Sequence, residues 1–108
     1  MQVQLSGHHI DITPALRDHV QSKLDRLNRL YENIKTLAVV LCVDNAEKKA
    51  EATISVAGAT LHADAVEADM YASIDTMFEK LVVQLRKHKE KQSDHHQREA
   101  RDLNHDVV

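Results

Sequence analysis

Five cations fall within twelve residues of the sequence: Lys80, Arg86, Lys87, Lys89 and Lys91, with Glu90 the one acid among them. Cations at that density suit the binding of phosphate. Each Lys or Arg that replaces a condensed counterion adds a salt-dependent increment of affinity, and Arg can bridge phosphates through two donors. Lys23, Arg26 and Arg29 form a second, looser set. A helix C-terminus attracts one or two cations to its dipole, and five exceed that need. No Gly-rich phosphate loop accompanies them, so the matching polyanion is a backbone rather than a nucleotide. A merely solvated helical face is the competing reading.

Other chemistry finds little support. The sequence holds no HExxH, no GxSxG, no Walker-type loop and no paired cysteines, so no catalytic residue is assigned and an enzyme is not expected. Asp64, Glu67, Asp69 and Asp75 cluster in sequence, but strand alternation and helix capping account for them. The single cysteine, Cys42, lies in an apolar run and reads as a buried, inert thiol, which fits a reduced cytoplasmic compartment. Among eight histidines, His8-His9 and His95-His96 are adjacent pairs that would bind a transition ion only adventitiously. No metal and no cofactor is expected.

The formal net charge is −3, yet the sign is unevenly spread. Residues 44–79 carry two cations against eight acids, whereas residues 80–92 carry five against one. Local potential, not the total, steers a polyanion, so a basic face is compatible with an acidic sum. Tryptophan is absent and the only aromatic side chains besides histidine are Tyr31, Tyr71 and Phe78, few for reading single-stranded bases by stacking. The longest apolar run, Leu37 to Val43, is far short of the ~18–20 residues of a membrane span, and no partner membrane is expected. Met1-Gln2-Val3-Gln4 has no basic segment followed by an apolar one, so no signal peptide is expected.

The 108 residues suit one domain. Gln2 to Ser6 alternates polar and apolar, a short strand that Gly7 ends. Thr13-Pro14 starts a helix, with Leu16, Val20, Leu24, Leu27, Tyr31 and Ile34 at spacings of four and three, reaching about Asn33. Leu37 to Val43, apolar on both faces, reads as a central strand. Strands with one wet face follow at Ala50 to Val56 and Leu61 to Ala65, joined at Ala57-Gly58. Asp69 caps a second helix from about Met70 to Gln92, with Ile74, Met77, Phe78, Leu81 and Leu85 on one face. The order is β-α-β-β-β-α, an α+β domain over residues 1–92 with both helices on one face of a four-stranded sheet. The other face, with Thr53, Ser55, His62 and Asp64, should meet water. Residues 93–108 are polar and are expected to be a mobile tail or frayed helix.

At about 100° per residue, Lys80, Lys87 and Lys91 share one flank of the second helix's apolar stripe, and Arg86 and Lys89 the other. On the first helix Arg26 and Arg29 share a flank, Lys23 borders the stripe, and Asp18, Asp25 and Glu32 form a separate acidic line. Such segregation predicts a basic ridge along two adjacent helices.

Three segments carry a family resemblance: Gly7-His8-His9-Ile10-Asp11-Ile12-Thr13-Pro14-Ala15-Leu16-Arg17, Asp69-Met70-Tyr71-Ala72-Ser73-Ile74-Asp75, and Lys80-Leu81 with Gln84-Leu85-Arg86-Lys87-His88-Lys89. Over about residues 1–92 the chain resembles the short ribosome hibernation-promoting factors of bacteria, once grouped as sigma-54 modulation proteins. The resemblance implies a fold similar to a double-stranded-RNA-binding domain. It also implies binding to the small ribosomal subunit and its 16S rRNA in the channel for tRNA and messenger RNA. Translation is then silenced in stationary phase, and inactive ribosome dimers form with the help of ribosome modulation factor, which acts through the ribosome. A monomer in solution is expected. Matched to the family's basic positions, Lys23, Arg26, Arg29, Lys80, Arg86, Lys87, Lys89 and Lys91 are the expected nucleic-acid contacts. The extension from Ser93 to Val108, with Arg98-Glu99-Ala100-Arg101-Asp102, is reminiscent of a sister type that opposes dimers. That type, and a protein-interaction module with a solvated basic helix, are the alternatives.

Overall fold

Thr13 and Pro14 act as their types dictate. Thr13 keeps an extended backbone (φ −75°, ψ 161°), its hydroxyl accepts from the Leu16 N–H at 3.2 Å, and Pro14 takes the first helical position. The computed structural model describes residues 2–101, with side chains through Lys89. Helix α1 (Pro14–Leu30) buries Leu16, Val20, Leu24 and Leu27. It stops short of the Asn33 that the periodicity predicts. Tyr31 turns extended (φ −148°, ψ 110°) while its N–H still reaches the Leu27 carbonyl at 3.0 Å. Tyr31 and Ile34 are buried, but as the cap and the first residue of the next strand, which happen to continue the helical spacing.

The strands β1 (Gln2–His8), β2 (Ile34–Asp44), β3 (Glu47–Val56) and β4 (Ala59–Glu67) form one sheet in the order β1-β2-β3-β4. β1 runs parallel to β2, and the parallel pair needs the crossover that α1 supplies. The other pairs are antiparallel hairpins that turn at Asn45 (φ 58°) and Gly58 (φ 82°), residues that tolerate the left-handed region.

Leu37, Val39 and Leu41 on β2, Ala50, Ala52, Ile54 and Val56 on β3, and Ala63 and Ala65 on β4 are all buried. Their period of two aims them at one face. Helix α2 (Met70–Arg101) lies over β3 and β4. Four alanines beneath it let the helix sit close, and Ile74, Met77, Phe78, Leu81 and Leu85 fill the interface. The β1–β2 half is left for α1. The α+β architecture and the order β-α-β-β-β-α are therefore as the sequence predicts.

Three details differ. The other face is open among the described elements, as expected, but it leaves Ala38, Val40 and Cys42 of the apolar run only half-buried. Cys42 is accordingly not the buried thiol expected of an apolar run. Strand β1 continues past Gly7 to His8. The backbone of α2 continues through Ser93 to Arg101, a stretch that lacks Gly and Pro and ends in the good helix formers Gln97, Arg98, Glu99, Ala100 and Arg101. Residues 102–108 of the expected tail lie outside the described residues. No helix among the described residues is long and apolar enough to cross a membrane.

Gly7 sits in β1 because the chain folds back over it: a Cβ there would lie 2.5 Å from the Ile10 carbonyl oxygen. That neighbour is backbone and cannot swing aside. Gly7→Ala is expected to destabilise the domain by about 1–3 kcal/mol, read as a lowered thermal midpoint in circular dichroism.

Candidate functional site

The rotation of α2 about its axis decides where its cations point, and four side chains set it. The Asp69 carboxylate accepts from the Ala72 N–H at 3.0 Å, capping the helix. Ser73 is fully buried, donates to the Lys48 carbonyl and accepts from the Glu67 N–H at 3.1 Å. Further along, Lys80 donates to the Asp64 carbonyl at 2.8 Å and Gln84 to the His62 carbonyl at 2.6 Å. These carbonyls belong to the edge strand β4, whose unpaired backbone groups are thereby capped by the helix. Sequence reasoning missed Ser73. Its signal was a polar residue three after Met70 and four before Met77, on the apolar face.

The eight predicted contact residues divide into distinct groups. Lys23 and Arg26 from α1 and Arg86 and Lys89 from α2 line one groove between the two helices. Arg29 is exposed on α1 but does not line the groove. Lys80 and exposed Lys87 lie on the opposite flank of α2, towards β4, where Lys80 is engaged with the strand edge. The Lys91 side chain lies outside the described residues. The groove holds about 310 Å³ beside Arg26, Phe78 and Val83 and about 160 Å³ beside Leu30, Arg86 and Lys89.

Lys23 is not a free cation. It pairs with Asp75 at 3.2 Å, and the same carboxylate oxygen meets His19 Nε2 at 2.7 Å. The His19 ring stands edge-on to Tyr71 with centroids 5.0 Å apart. Burial opposes ionisation of Asp75, but the hydrogen bonds from His19 and Lys23 outweigh it and hold the carboxyl below its ordinary 3.8. Arg26, Arg29, Arg86, Lys87 and Lys89, by contrast, are exposed and make no ion pair with another described side chain.

The open sheet face carries a second polar cluster that the sequence did not single out. Glu51, His62 and Asp64 place one possible metal-ligand atom each within 4.8 Å of one another. Lys49 sits 2.9 Å from the Glu51 carboxylate and supplies positive charge there, and Thr53 Oγ1 lies 3.0 Å from His62 Nδ1. The pairings Glu51↔Asp64 and Thr53↔His62 across β3 and β4 follow from strand alternation once the hairpin register is known.

A family model described as Sigma 54 modulation protein / S30EA ribosomal protein matches residues 3–93. The chain is 47% identical over 97 residues to a ribosome hibernation promoting factor of Azotobacter vinelandii, spanning 90% of this chain and 91% of the relative. It is 40% identical over 95 residues to the one of Escherichia coli K12, spanning 88% of this chain and 100% of the relative. Among solved structures, a ribosomal subunit interface protein from Coxiella burnetii superposes with a TM-score of 0.79 at 32% identity, covering 83% of this chain and 99% of that one. The Thermus thermophilus Protein Y N-terminal domain gives 0.75 at 32% identity, covering 81% and 98%.

The Asp75 cluster makes stability depend on acidity. A folded-state pKa held below the unfolded value contributes stability above about pH 4, and the contribution fades as pH falls through the depressed value. Asp75→Asn is expected to lower the thermal midpoint at neutral pH and to converge on the unmutated chain as pH falls through the depressed pKa of Asp75. Melting curves across that range check it; a constant deficit at every pH would show that lost packing, not charge, is responsible.

Proposed function

The chain belongs to the sigma 54 modulation protein / S30EA ribosomal protein family, and from that premise we propose that its helical side docks on the 16S rRNA of the small ribosomal subunit, in the channel for tRNA and messenger RNA. Its role is ribosome-associated, non-enzymatic and directed at hibernation, a form of translation regulation, which belongs to the cytoplasm. The observation that carries the finer reading is the group of exposed cations on the two helices, Arg26 and Arg29 on α1 and Arg86, Lys87 and Lys89 on α2. The hairpin strands carry acids at Glu47, Glu51, Asp64 and Glu67, beside Lys48 and Lys49.

A basic surface on which Tyr71, 37% exposed and edge-on to His19, is the one exposed Tyr or Phe among the described residues suits folded RNA read by shape and phosphate spacing. Phe78 and Tyr31 are only 4% and 7% exposed and offer no ring for stacking. Occupying that channel silences the subunit by exclusion, with no chemistry required of the protein. We assign the function to stationary phase, with a monomer in solution as the binding form. Inactive ribosome dimers, assisted indirectly by ribosome modulation factor, are the downstream state, since the relatives named above are hibernation promoting factors.

Lys23 and Lys80 have the weakest claim among the eight residues. Each is already held within the domain, by Asp75 and by the Asp64 carbonyl. Lys91 keeps its place in the proposal on sequence alone.

Sedimentation with purified small subunits tests the reading. Binding should weaken steeply as salt rises. The double charge reversal Arg86→Glu/Lys89→Glu should weaken it further and flatten the dependence of log K on log salt by about 2. Binding indifferent to salt and to this variant overturns the proposal. Lys80→Met should separate the two classes of lysine. It is expected to cost about 1 kcal/mol of stability through the lost bond to β4 while leaving subunit binding nearly intact. Gradients of whole ribosomes with and without ribosome modulation factor give the direction: more dimers support promotion, and fewer identify the opposing type.

A further inference from the structure

The groove between α1 and α2 is more apolar than phosphate binding requires. Leu30 and Val83, one from each helix, are both 47% exposed at its sides, and half-buried Val82 lies on the floor between them. Exposed aliphatic surface that converges on a trough between parallel ridges is the form that receives an amphipathic helix. The rim decides what kind. Arg26 on one ridge and Arg86 and Lys89 on the other are exposed and without an ion-pair partner among the described side chains, against the acid Glu79 at one end.

We propose that this groove docks an acidic amphipathic segment of a partner protein, with aliphatic side chains between the helices and carboxylates on Arg26, Arg86 and Lys89. Two other occupants fit less well. A nucleotide base gains little from an aliphatic floor, because both nearby rings, Phe78 and Tyr31, are buried in the core. A second copy of this chain offers the acidic line Asp18, Asp25 and Glu32, but no large apolar side chain lies beside it: its exposed neighbours on α1 are Gln21, Ser22, Asn28 and Arg29. The trough has room. Along α2 the stretch from Asp75 to Lys89 spans about 20 Å at 1.5 Å per residue, enough for a partner helix of three turns. The inference does not rest on the rRNA reading, because Val83 and Leu30 have no part in it.

The test uses the full chain and three probes: a synthetic acidic helical peptide with two leucines four residues apart, the same peptide with those leucines changed to serine, and an oligouridine. Methyl chemical shifts of Leu30, Val82 and Val83 report the site, and titration gives affinity. The leucine peptide should shift those methyls and bind at least about tenfold more tightly than the serine peptide, as burial of aliphatic side chains demands. Val83→Asp should remove that advantage while leaving the thermal midpoint and salt-dependent subunit sedimentation unchanged. Equal affinity for the two peptides overturns the proposal, since charge alone would explain it. So do unmoved groove methyls, or methyls moved by oligouridine instead. Lost subunit sedimentation in Val83→Asp would likewise overturn it, by making the groove part of the ribosome contact.

Discussion

A rotation of α2 by one residue, 100° about its axis, would carry Arg86 and Lys89 away from the helix groove and bring Lys87 towards the core. The basic surface therefore depends on what prevents that rotation. Apolar packing alone tolerates some slip, because Met77 and Leu81 can repack on a bed of alanines. Directional bonds do not. Ser73 is locked between a β3 carbonyl and the last amide of β4, and Lys80 and Gln84 hold alternate carbonyls along β4. Ser73 is the one buried polar residue among the described side chains, and its hydroxyl is satisfied as donor and acceptor at once, so its desolvation is compensated. The same contacts shield the edge of β4 from pairing with other chains. One set of hydrogen bonds thus fixes helix rotation and blunts a sheet edge.

Electrostatic segregation is the second layer of the design. A net charge of −3 would repel a polyanion if it were evenly smeared. Here the hairpin strands carry Glu47, Glu51, Asp64 and Glu67, with Lys49 and Glu51 paired within the sheet face, while Arg26, Arg29, Arg86, Lys87 and Lys89 stand on the helices. With a Debye length near 10 Å at moderate salt, a polyanion at the helices is largely screened from acids on the far side of the sheet. The acidic face then acts on orientation, since docking the wrong way round meets like charge. Asp75 works inside this scheme: by holding His19 and Lys23 it joins α1 to α2 across the groove and removes one lysine from the outward-facing set.

Much of this was legible in the residues. Period-two alternation marks β3 and β4, the Thr-Pro start marks α1, and charge counts by segment reveal a basic helix inside an acidic chain. What escaped has identifiable causes. Tyr31 and Ile34 extend the helical spacing by coincidence, because a buried cap and a buried strand start obey the same need for an apolar contact. Leu37 to Val43 is apolar on both faces, and that run makes Cys42 read as buried although its face is expected to be open. The helix-free face instead leaves Ala38, Val40 and Cys42 half-open, and small side chains make that exposure tolerable. The engagement of Lys23 and Lys80 could not be seen, since it depends on which strand edge and which carboxylate lie across from each helix. Spacing along one helix tells which residues share a flank; it does not tell what stands opposite that flank.

The two flanks of α2 consequently differ in kind, although the sequence presents both as lysine and arginine. On the β4 side, Lys80 is a structural donor to a backbone carbonyl and only Lys87 projects outward with a described side chain. On the α1 side, arginine and lysine flank an aliphatic trough. A strand of phosphates contacts charged tips and has no use for the floor between them, whereas an amphipathic peptide uses both. The absence of an exposed ring in that trough sets the balance further, because aromatic stacking is what makes apolar grooves hospitable to bases. A single helix pair can in this way present charge for one partner at its crest and hydrocarbon for another in its cleft, and the two uses compete for Arg26, Arg86 and Lys89.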